Sequence, residues 1–183
     1  MFGYAILGLV ILVGAYVLAF YNGTIKLRNA IEEAFATMDV YLKKRYDMIP
    51  NLVETVKGYA THEQETLQAL TEARTRSMQA TTPEERFEQE GGLQSALKSL
   101  FAVAENYPDL KANQNFLALQ SELSSMEGEI ANSRKYYNAV VKQFNTRIQV
   151  FPGNVLAGMF GFFKQAMFEV GAEEERQNVA VRF

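Results

Sequence analysis

The dipeptide His62-Glu63 is the first place in this sequence where catalytic chemistry could be expected. In the zinc motif His-Glu-x-x-His, two histidines one helical turn apart bind the metal and the glutamate acts as general base. Here the last position is Thr66, and the 183-residue chain has one histidine and no cysteine. We therefore interpret His62-Glu63 as a polar pair in the first turn of a helix, where the helix dipole favours the carboxylate. The sequence predicts no catalytic residue, no metal site and no cofactor.

A second group of polar residues surrounds Pro50. Its members are Arg45, Asp47, Asn51, Glu54 and Lys57. Asp47 and Asn51 are four residues apart and Glu54 and Lys57 are three apart, so these pairs can form ion pairs and hydrogen bonds along one helical face. A solvated polar face is the ordinary interpretation of such a pattern. The alternative is a surface that docks a protein partner, with Arg45, Asn51 and Lys57 as its candidate residues.

The segment from Val155 to Phe168 is apolar and rich in phenylalanine, with Lys164 as its only charged residue. Exposed apolar patches of this size are unusual on a soluble monomer. The segment either folds back over the rest of the chain, lies on a bilayer surface, or docks on a partner. The candidate contact residues for a membrane or a partner are Phe160, Phe162, Phe163 and Phe168.

The overall charge argues against nucleic-acid binding. The formal net charge is −3, the pI is about 5.3, and no basic stripe with interleaved aromatic residues is present. We expect no nucleic-acid partner. The sequence contains no phosphate-binding glycine loop and no nucleophile-elbow motif, so we expect no enzyme.

These residues must be positioned by helices, and the first of them is apolar. Residues 1–21 contain no charged side chain, and 21 helical residues reach about 31 Å, the hydrocarbon thickness of a bilayer. The stretch has no basic N-terminal region, its apolar core is longer than that of a signal peptide, and Leu18-Ala19-Phe20-Tyr21 is a poor cleavage site. We therefore interpret it as an uncleaved anchor. Tyr16, Phe20 and Tyr21 fit an aromatic belt at one interface, and Lys26 and Arg28 follow. The positive-inside rule then predicts a single-pass anchor with its N-terminus outside the cell and the remainder in the cytoplasm.

Apolar residues spaced three and four apart predict helices from Lys26 onward. Pro50 either kinks the first of these helices or begins a new one, and Thr61 could cap the helix that follows. Thr82, Pro83 and Glu85 form the signature of a capping box at the start of the next helix.

The last helix is predicted to begin at Pro108 and to run to Phe151 with a near-strict heptad of apolar residues, as in coiled coils. Asn138 and Asn145 lie beside positions of that heptad. Buried asparagines at such places fix the register of helix packing, which is the role we predict for them.

The chain resembles the LemA family of bacterial membrane proteins. The resemblance is carried by LKKRYDMIPNLVETVKGYATHE (residues 42–63), NYPDLKANQNFLALQSEL (residues 106–123), and Phe151-Pro152 followed by a Phe-Gly-Phe segment. It implies a membrane anchor that carries an antiparallel helical bundle in the bacterial cell membrane, and it implies no established enzymatic activity.

Together these observations predict an all-α protein: a transmembrane helix at residues 1–21, an up-and-down antiparallel bundle of three to four long helices at residues 22–152, and an apolar tail at residues 153–183. The predicted function is that of a membrane-tethered scaffold or adaptor that binds other proteins, or further copies of itself as a homo-oligomer. The alternative is a membrane-active module whose phenylalanine-rich tail binds or shapes the bilayer interface.

Overall fold

The structure is a computed structural model that describes residues 2–168. The described residues are helical and contain no β-strand. The helices are α1 (Phe2–Lys57), α2 (Gln64–Gln79), α3 (Pro83–Ala104), α4 (Pro108–Lys111), α5 (Gln114–Gln149) and α6 (Gly153–Phe160). The all-α class predicted from the sequence is therefore confirmed for this part of the chain.

The first helix, α1, continues through Pro50 and ends only at Lys57. Pro50 was predicted either to kink this helix or to begin a new one. No new helix begins there, although an interior proline removes one hydrogen bond. The break in the helix comes after Pro50, at Gly58, and α2 begins at Gln64. The residue that precedes α2 is Glu63, whose side chain forms no capping hydrogen bond, so the prediction of Thr61 as the cap is wrong.

The start of α3 follows the predicted capping box. The Thr82 hydroxyl accepts from the Glu85 amide at 3.2 Å, and the Glu85 carboxylate accepts from the Thr82 amide at 3.2 Å. These hydrogen bonds satisfy two amides that a helix start leaves unpaired. Hydrogen bonds from the Thr81 and Thr82 amides also lower the pKa of Glu85 below its ordinary value.

The last long helix begins later than predicted. Pro108 opens only the four-residue helix α4, and α5 starts at Gln114. Asn113 causes the new start, because its side-chain carbonyl accepts from the Phe116 amide at 3.0 Å. Along α5 every seventh residue is buried, as the heptad pattern indicates: Phe116, Leu123, Ile130, Tyr137 and Phe144. Phe151 departs from the pattern because α5 ends at Gln149, and it is 83% exposed.

The described residues form two compact units. Unit 1 contains residues 2–37 and 133–167, and unit 2 contains residues 38–132 together with Phe168. The long helices α1 and α5 contribute residues to both units, whereas α2, α3 and α4 belong to unit 2 and α6 belongs to unit 1. The part of the predicted tail beyond Phe168 lies outside the described residues.

Candidate functional site

The phenylalanine-rich segment of unit 1 is attached to the end of the apolar part of α1. Gly153 begins α6 at the Phe20 ring: a Cβ added to Gly153 would lie 2.8 Å from Phe20 Cε2 and 2.4 Å from the Arg147 carbonyl oxygen. Such distances exclude a side chain unless the backbone moves. Glycine is therefore required here by the close approach of α6 to α1 and α5.

Aromatic rings continue this contact. The Phe160 ring lies 5.1 Å from Tyr21, and the Phe162 ring lies 6.5 Å from Phe20 and 6.4 Å from Phe144, centroid to centroid. These separations are typical of favourable edge and tilted aromatic pairs. Phe20, which the sequence placed in a lipid-facing belt, is thus buried within the protein, while Tyr21 stays partly exposed.

The chain turns at Gly161, whose φ of 70° lies in the left-handed region that glycine adopts without strain. Residues 162–167 then run back along the part of α5 in unit 1. Asn145 holds them through two hydrogen bonds: its amide nitrogen donates to the Gln165 carbonyl and its amide oxygen accepts from the Gln165 amide, each at 2.9 Å. The Tyr137 hydroxyl donates to the Ala166 carbonyl at 3.0 Å. Residues 153–167 therefore fold back onto α1 and α5 within unit 1, which was one of the three alternatives considered for this segment.

Arg147 connects α5 to the same end of the apolar stretch. Its guanidinium donates to the carbonyl oxygens of Ala19 and Phe20 and to the Thr24 hydroxyl, at 3.0–3.1 Å, and lies 5.3 Å from the Phe20 ring centre. Gly23 makes room for it, since a Cβ there would lie 2.4 Å from a guanidinium nitrogen. Arg147 is not among the residues predicted from the sequence. The one indication of its role in the sequence is that it directly precedes the buried Ile148.

The four candidate contact phenylalanines have different surroundings. Phe162 is buried against aromatic rings of unit 1, and Phe168 is buried in unit 2, where its ring lies 4.3 Å from that of Phe87. Phe163 is 76% exposed and Phe160 is 40% exposed. Only Phe160 and Phe163 of the four therefore offer a substantial apolar surface to a membrane or a partner.

In unit 2 the predicted docking residue Arg45 is buried, with 2% of its surface exposed. Its guanidinium forms ion pairs with Glu90 of α3 and, at 2.6 Å, with Glu127 of α5. Tyr46 also donates its hydroxyl to Glu90, and burial raises the pKa of Tyr46 above its ordinary value. Arg45 therefore stabilises the interior of unit 2 and is not available on its surface.

Glu90 was not predicted as a functional residue, although its position in the sequence indicates that it is buried. Glu90 follows the buried Phe87 by three residues and precedes the buried Leu93 by three, so it lies on the apolar face of α3. Arg45 is likewise three residues after the buried Leu42 and four before the buried Ile49. A buried charge is expensive unless it is paired, so two opposite charges on apolar faces predict each other.

The other two docking candidates are on the surface. Asn51 and Lys57 are exposed, and the Lys57 ammonium lies 3.7 Å from the Glu54 carboxylate. Lys57 also lines an open groove of about 640 Å³ between the end of α1 and the first half of α2. The groove is lined by Val53, Lys57, Ala60, Thr61, Gln64, Leu67, Gln68 and Thr71.

Glu63 has a structural partner. The Tyr107 hydroxyl donates to its carboxylate at 3.0 Å, which raises the pKa of Tyr107. Among residues 2–168, no group of three or more His, Asp or Glu side chains could hold a metal ion.

The sequence pattern of the LemA family matches residues 34–183. The chain belongs to the LemA family. It is 30% identical over 162 residues to Protein LemA of Metamycoplasma hominis, a match that covers 86% of this chain and 72% of that protein. It is 24% identical over 175 residues to Magnetosome protein MamQ 2 of Paramagnetospirillum magneticum and 22% identical over 174 residues to Magnetosome protein MamQ of Magnetospirillum gryphiswaldense. The chain spans 64% of the length of each MamQ protein.

None of these names is that of an enzyme. The apolar part of α1 supports a membrane location. Its most apolar window has a mean hydropathy of 2.3, none of it is buried within the protein, and α1 is the one described helix long and apolar enough to cross a membrane. A soluble protein would expose these side chains to water at a large cost in free energy.

Proposed function

We propose that this LemA-family protein is a membrane-tethered helical scaffold that binds another protein through unit 2 and has no catalytic activity. The observation that carries this proposal is the groove between α1 and α2. It has apolar side chains from Val53 and Leu67 and a cationic rim at Lys57. An amphipathic helix with an apolar residue for the groove and a carboxylate for Lys57 has the matching chemistry.

The contacts of unit 2 support an antiparallel, up-and-down arrangement of its helices. Arg74 of α2 donates to the Tyr46 carbonyl of α1 at 2.7 Å, and these residues lie at similar distances from the turn at residues 58–63. Arg86 of α3 pairs with Asp39 of α1, and Arg45 joins α1 to α3 and α5. We infer coiled-coil-like packing in this unit from the seven-residue spacing of the buried Phe116, Leu123 and Ile130 on α5.

Site-specific photo-crosslinking in intact cells tests the scaffold. Benzoylphenylalanine is placed at Thr71, which lines the groove, and, as the matched control, at the exposed Thr75 one turn further along α2. We expect a discrete adduct from Thr71 only, weakened by Lys57→Glu and unaffected by Lys43→Glu on α1. An adduct of twice the chain mass would identify self-association as the scaffold's mode. Identical products from both positions, or none from Thr71, would contradict docking in the groove.

We further propose that the chain is a single-pass protein of the bacterial cell membrane, with its N-terminus outside and residues 22–152 and the tail 153–183 in the cytoplasm. The chain has no native cysteine, so single cysteines report without background. Cysteines at Asn22 and Ser125, both exposed, should be protected from an impermeant thiol reagent in intact cells, and a cysteine at Gly3 should react. Labelling of Ser125→Cys in intact cells would reverse the proposed orientation.

A second candidate function, contact of the phenylalanine-rich segment with the bilayer interface, is favoured by the position of α6. It packs against Phe20 and Tyr21, where the apolar stretch of α1 ends, so α6 lies at the level of the membrane surface if residues 2–21 span the bilayer. Phe163→Trp provides the probe, because the chain has no native tryptophan. Lipids brominated on their acyl chains should quench it.

A further inference from the structure

The charges of unit 1 are distributed unlike those of the whole chain. Residues 1–37 and 133–167 contain seven Lys and Arg side chains and two Glu, a formal net charge of +5, although the full chain carries −3. No acidic residue occurs between 133 and 167. The basic residues are Lys26, Arg28, Arg134, Lys135, Lys142, Arg147 and Lys164.

The same unit exposes an apolar surface beside the end of the membrane span. Between residues 150 and 167 seven apolar side chains are at least 38% exposed, and among them Phe151, Met159 and Phe163 exceed 70%. The full set is Val150, Phe151, Val155, Met159, Phe160, Phe163 and Met167. We call these seven residues the collar. Through the ring contact of Phe160 with Tyr21, the collar meets the exposed apolar side chains of α1.

We propose that unit 1 binds anionic lipid at the surface of the bilayer that α1 spans, with the collar in the interface and its basic side chains at the lipid phosphates. Two observations select this occupant. The collar adjoins the apolar stretch of α1, whose most apolar window is not buried within the protein, and a net positive charge complements the negative surface potential of anionic membranes. This inference rests on the interfacial contact proposed above and adds the class of lipid that is bound.

The basic side chains have different parts in this arrangement. Lys164 is exposed and directly follows Phe163 of the collar, while Lys26 and Arg28 are exposed within two turns of Tyr21. These three can reach phosphates as the collar inserts, since long basic side chains extend to the headgroups at the end of a span. Arg147 instead uses its donors on the carbonyls of α1, so it positions the collar and is not a primary lipid ligand.

The test compares lipids in full-length Phe163→Trp protein reconstituted into vesicles of phosphatidylcholine and phosphatidylglycerol. Either lipid carries the brominated chains in turn, so quenching reports which lipid occupies the collar. We expect brominated phosphatidylglycerol to quench Trp fluorescence more than brominated phosphatidylcholine at the same mole fraction. Salt should reduce the difference, because exposed charges are screened within about 10 Å at 0.1 M ionic strength.

Charge variants make the test local. Replacing Lys26 and Lys164 by Gln should reduce the preference for phosphatidylglycerol by about fivefold per charge removed, as expected for basic residues at a membrane surface. The matched control replaces Lys43 and Lys44, two exposed lysines of α1 in unit 2, and should leave the preference unchanged. Equal loss in both double variants would show a general charge effect and would overturn the proposal.

Two further probes separate the failure modes. A tryptophan at Val10 within the apolar stretch should be quenched strongly, which verifies insertion, and one at Tyr136, exposed on α5, should be quenched weakly. If Trp at position 10 is quenched and Trp at position 163 is not, the interfacial contact itself is wrong. If Trp at position 163 is quenched equally by both lipids, the interfacial contact holds and the preference for anionic lipid is refuted.

Discussion

In unit 1 an arginine, Arg147, donates to backbone carbonyls and a hydroxyl, whereas in unit 2 Arg45 is buried between two carboxylates. Unit 1 is basic and exposes apolar side chains next to the apolar stretch of α1. Residues 38–132 of unit 2 contain fifteen acidic and nine basic side chains and bury a charged cluster. The two units thus share the helices α1 and α5 but depend on different interactions: hydrogen bonds to the backbone and aromatic packing in unit 1, and a buried ion pair in unit 2.

Replacing the arginine should therefore lower the stability of unit 2 more than that of unit 1. Arg45→Met leaves Glu90 buried without its cation, and breaking a buried pair in this way costs about 3–5 kcal/mol. Arg147→Met leaves no described carboxylate unpaired and should cost about 1–2 kcal/mol from lost hydrogen bonds. Amide hydrogen exchange of the full chain measures both, because it reports the opening of α3 and of α6 separately.

The double variant Arg45→Met/Glu90→Leu is the control for this comparison. Apolar residues of similar volume often replace a buried ion pair at little cost, so the double variant should recover much of the stability that Arg45→Met loses. If the double variant exchanges as fast as Arg45→Met, the unpaired Glu90 charge is not the cause of the loss.

Unit 1 should be destabilised by a side chain added at a close helix contact, as unit 2 is destabilised by the loss of a buried charge. The methyl group of Gly153→Ala would meet the Arg147 carbonyl and the Phe20 ring, so the backbone of α6 must shift, at a cost of about 1–3 kcal/mol. Gly158→Ala in the same helix meets no atom within 4 Å and should be neutral or slightly stabilising. Faster exchange in α6 for Gly153→Ala alone checks the prediction, and equal exchange in both variants would contradict it.

How much of this the sequence could predict depends on how local the cause is. The start of α3 was predictable because Thr82 and Glu85 lie three residues apart and need no other partner. The burial of Arg45 was not, because its partners Glu90 and Glu127 are 45 and 82 residues away and depend on which helices pack together. Asn145 is intermediate: its burial followed from the heptad, whereas its hydrogen bonds to Gln165 required the turn at Gly161.

Asn145 provides a smaller test within unit 1. Asn145→Ala removes both hydrogen bonds to Gln165 and leaves that backbone without partners from α5, at a cost of about 1–2 kcal/mol. We expect proteolysis after Lys164 to accelerate, while Gln143→Ala, an exposed position on the same helix, should have no effect. Unchanged cleavage in Asn145→Ala would show that the two hydrogen bonds of Asn145 do not hold this segment against α5.

The smallest expected effect concerns the pH dependence of unit 2. Burial raises the pKa of Tyr46, so its contribution to stability is complete below the ordinary tyrosine pKa of about 10 and is lost as pH rises through the higher folded value. Tyr107, whose pKa is raised by its hydrogen bond to Glu63, acts in the same direction, so the measurement belongs in a Tyr107→Phe background. There Tyr46→Phe should lower the free energy of unfolding by about 1 kcal/mol at neutral pH and flatten its decline above pH 10. If the free energy of unfolding declines as steeply above pH 10 in Tyr46→Phe, another group causes the decline. The Arg45–Glu90 pair would then be the part of the cluster on which unit 2 depends.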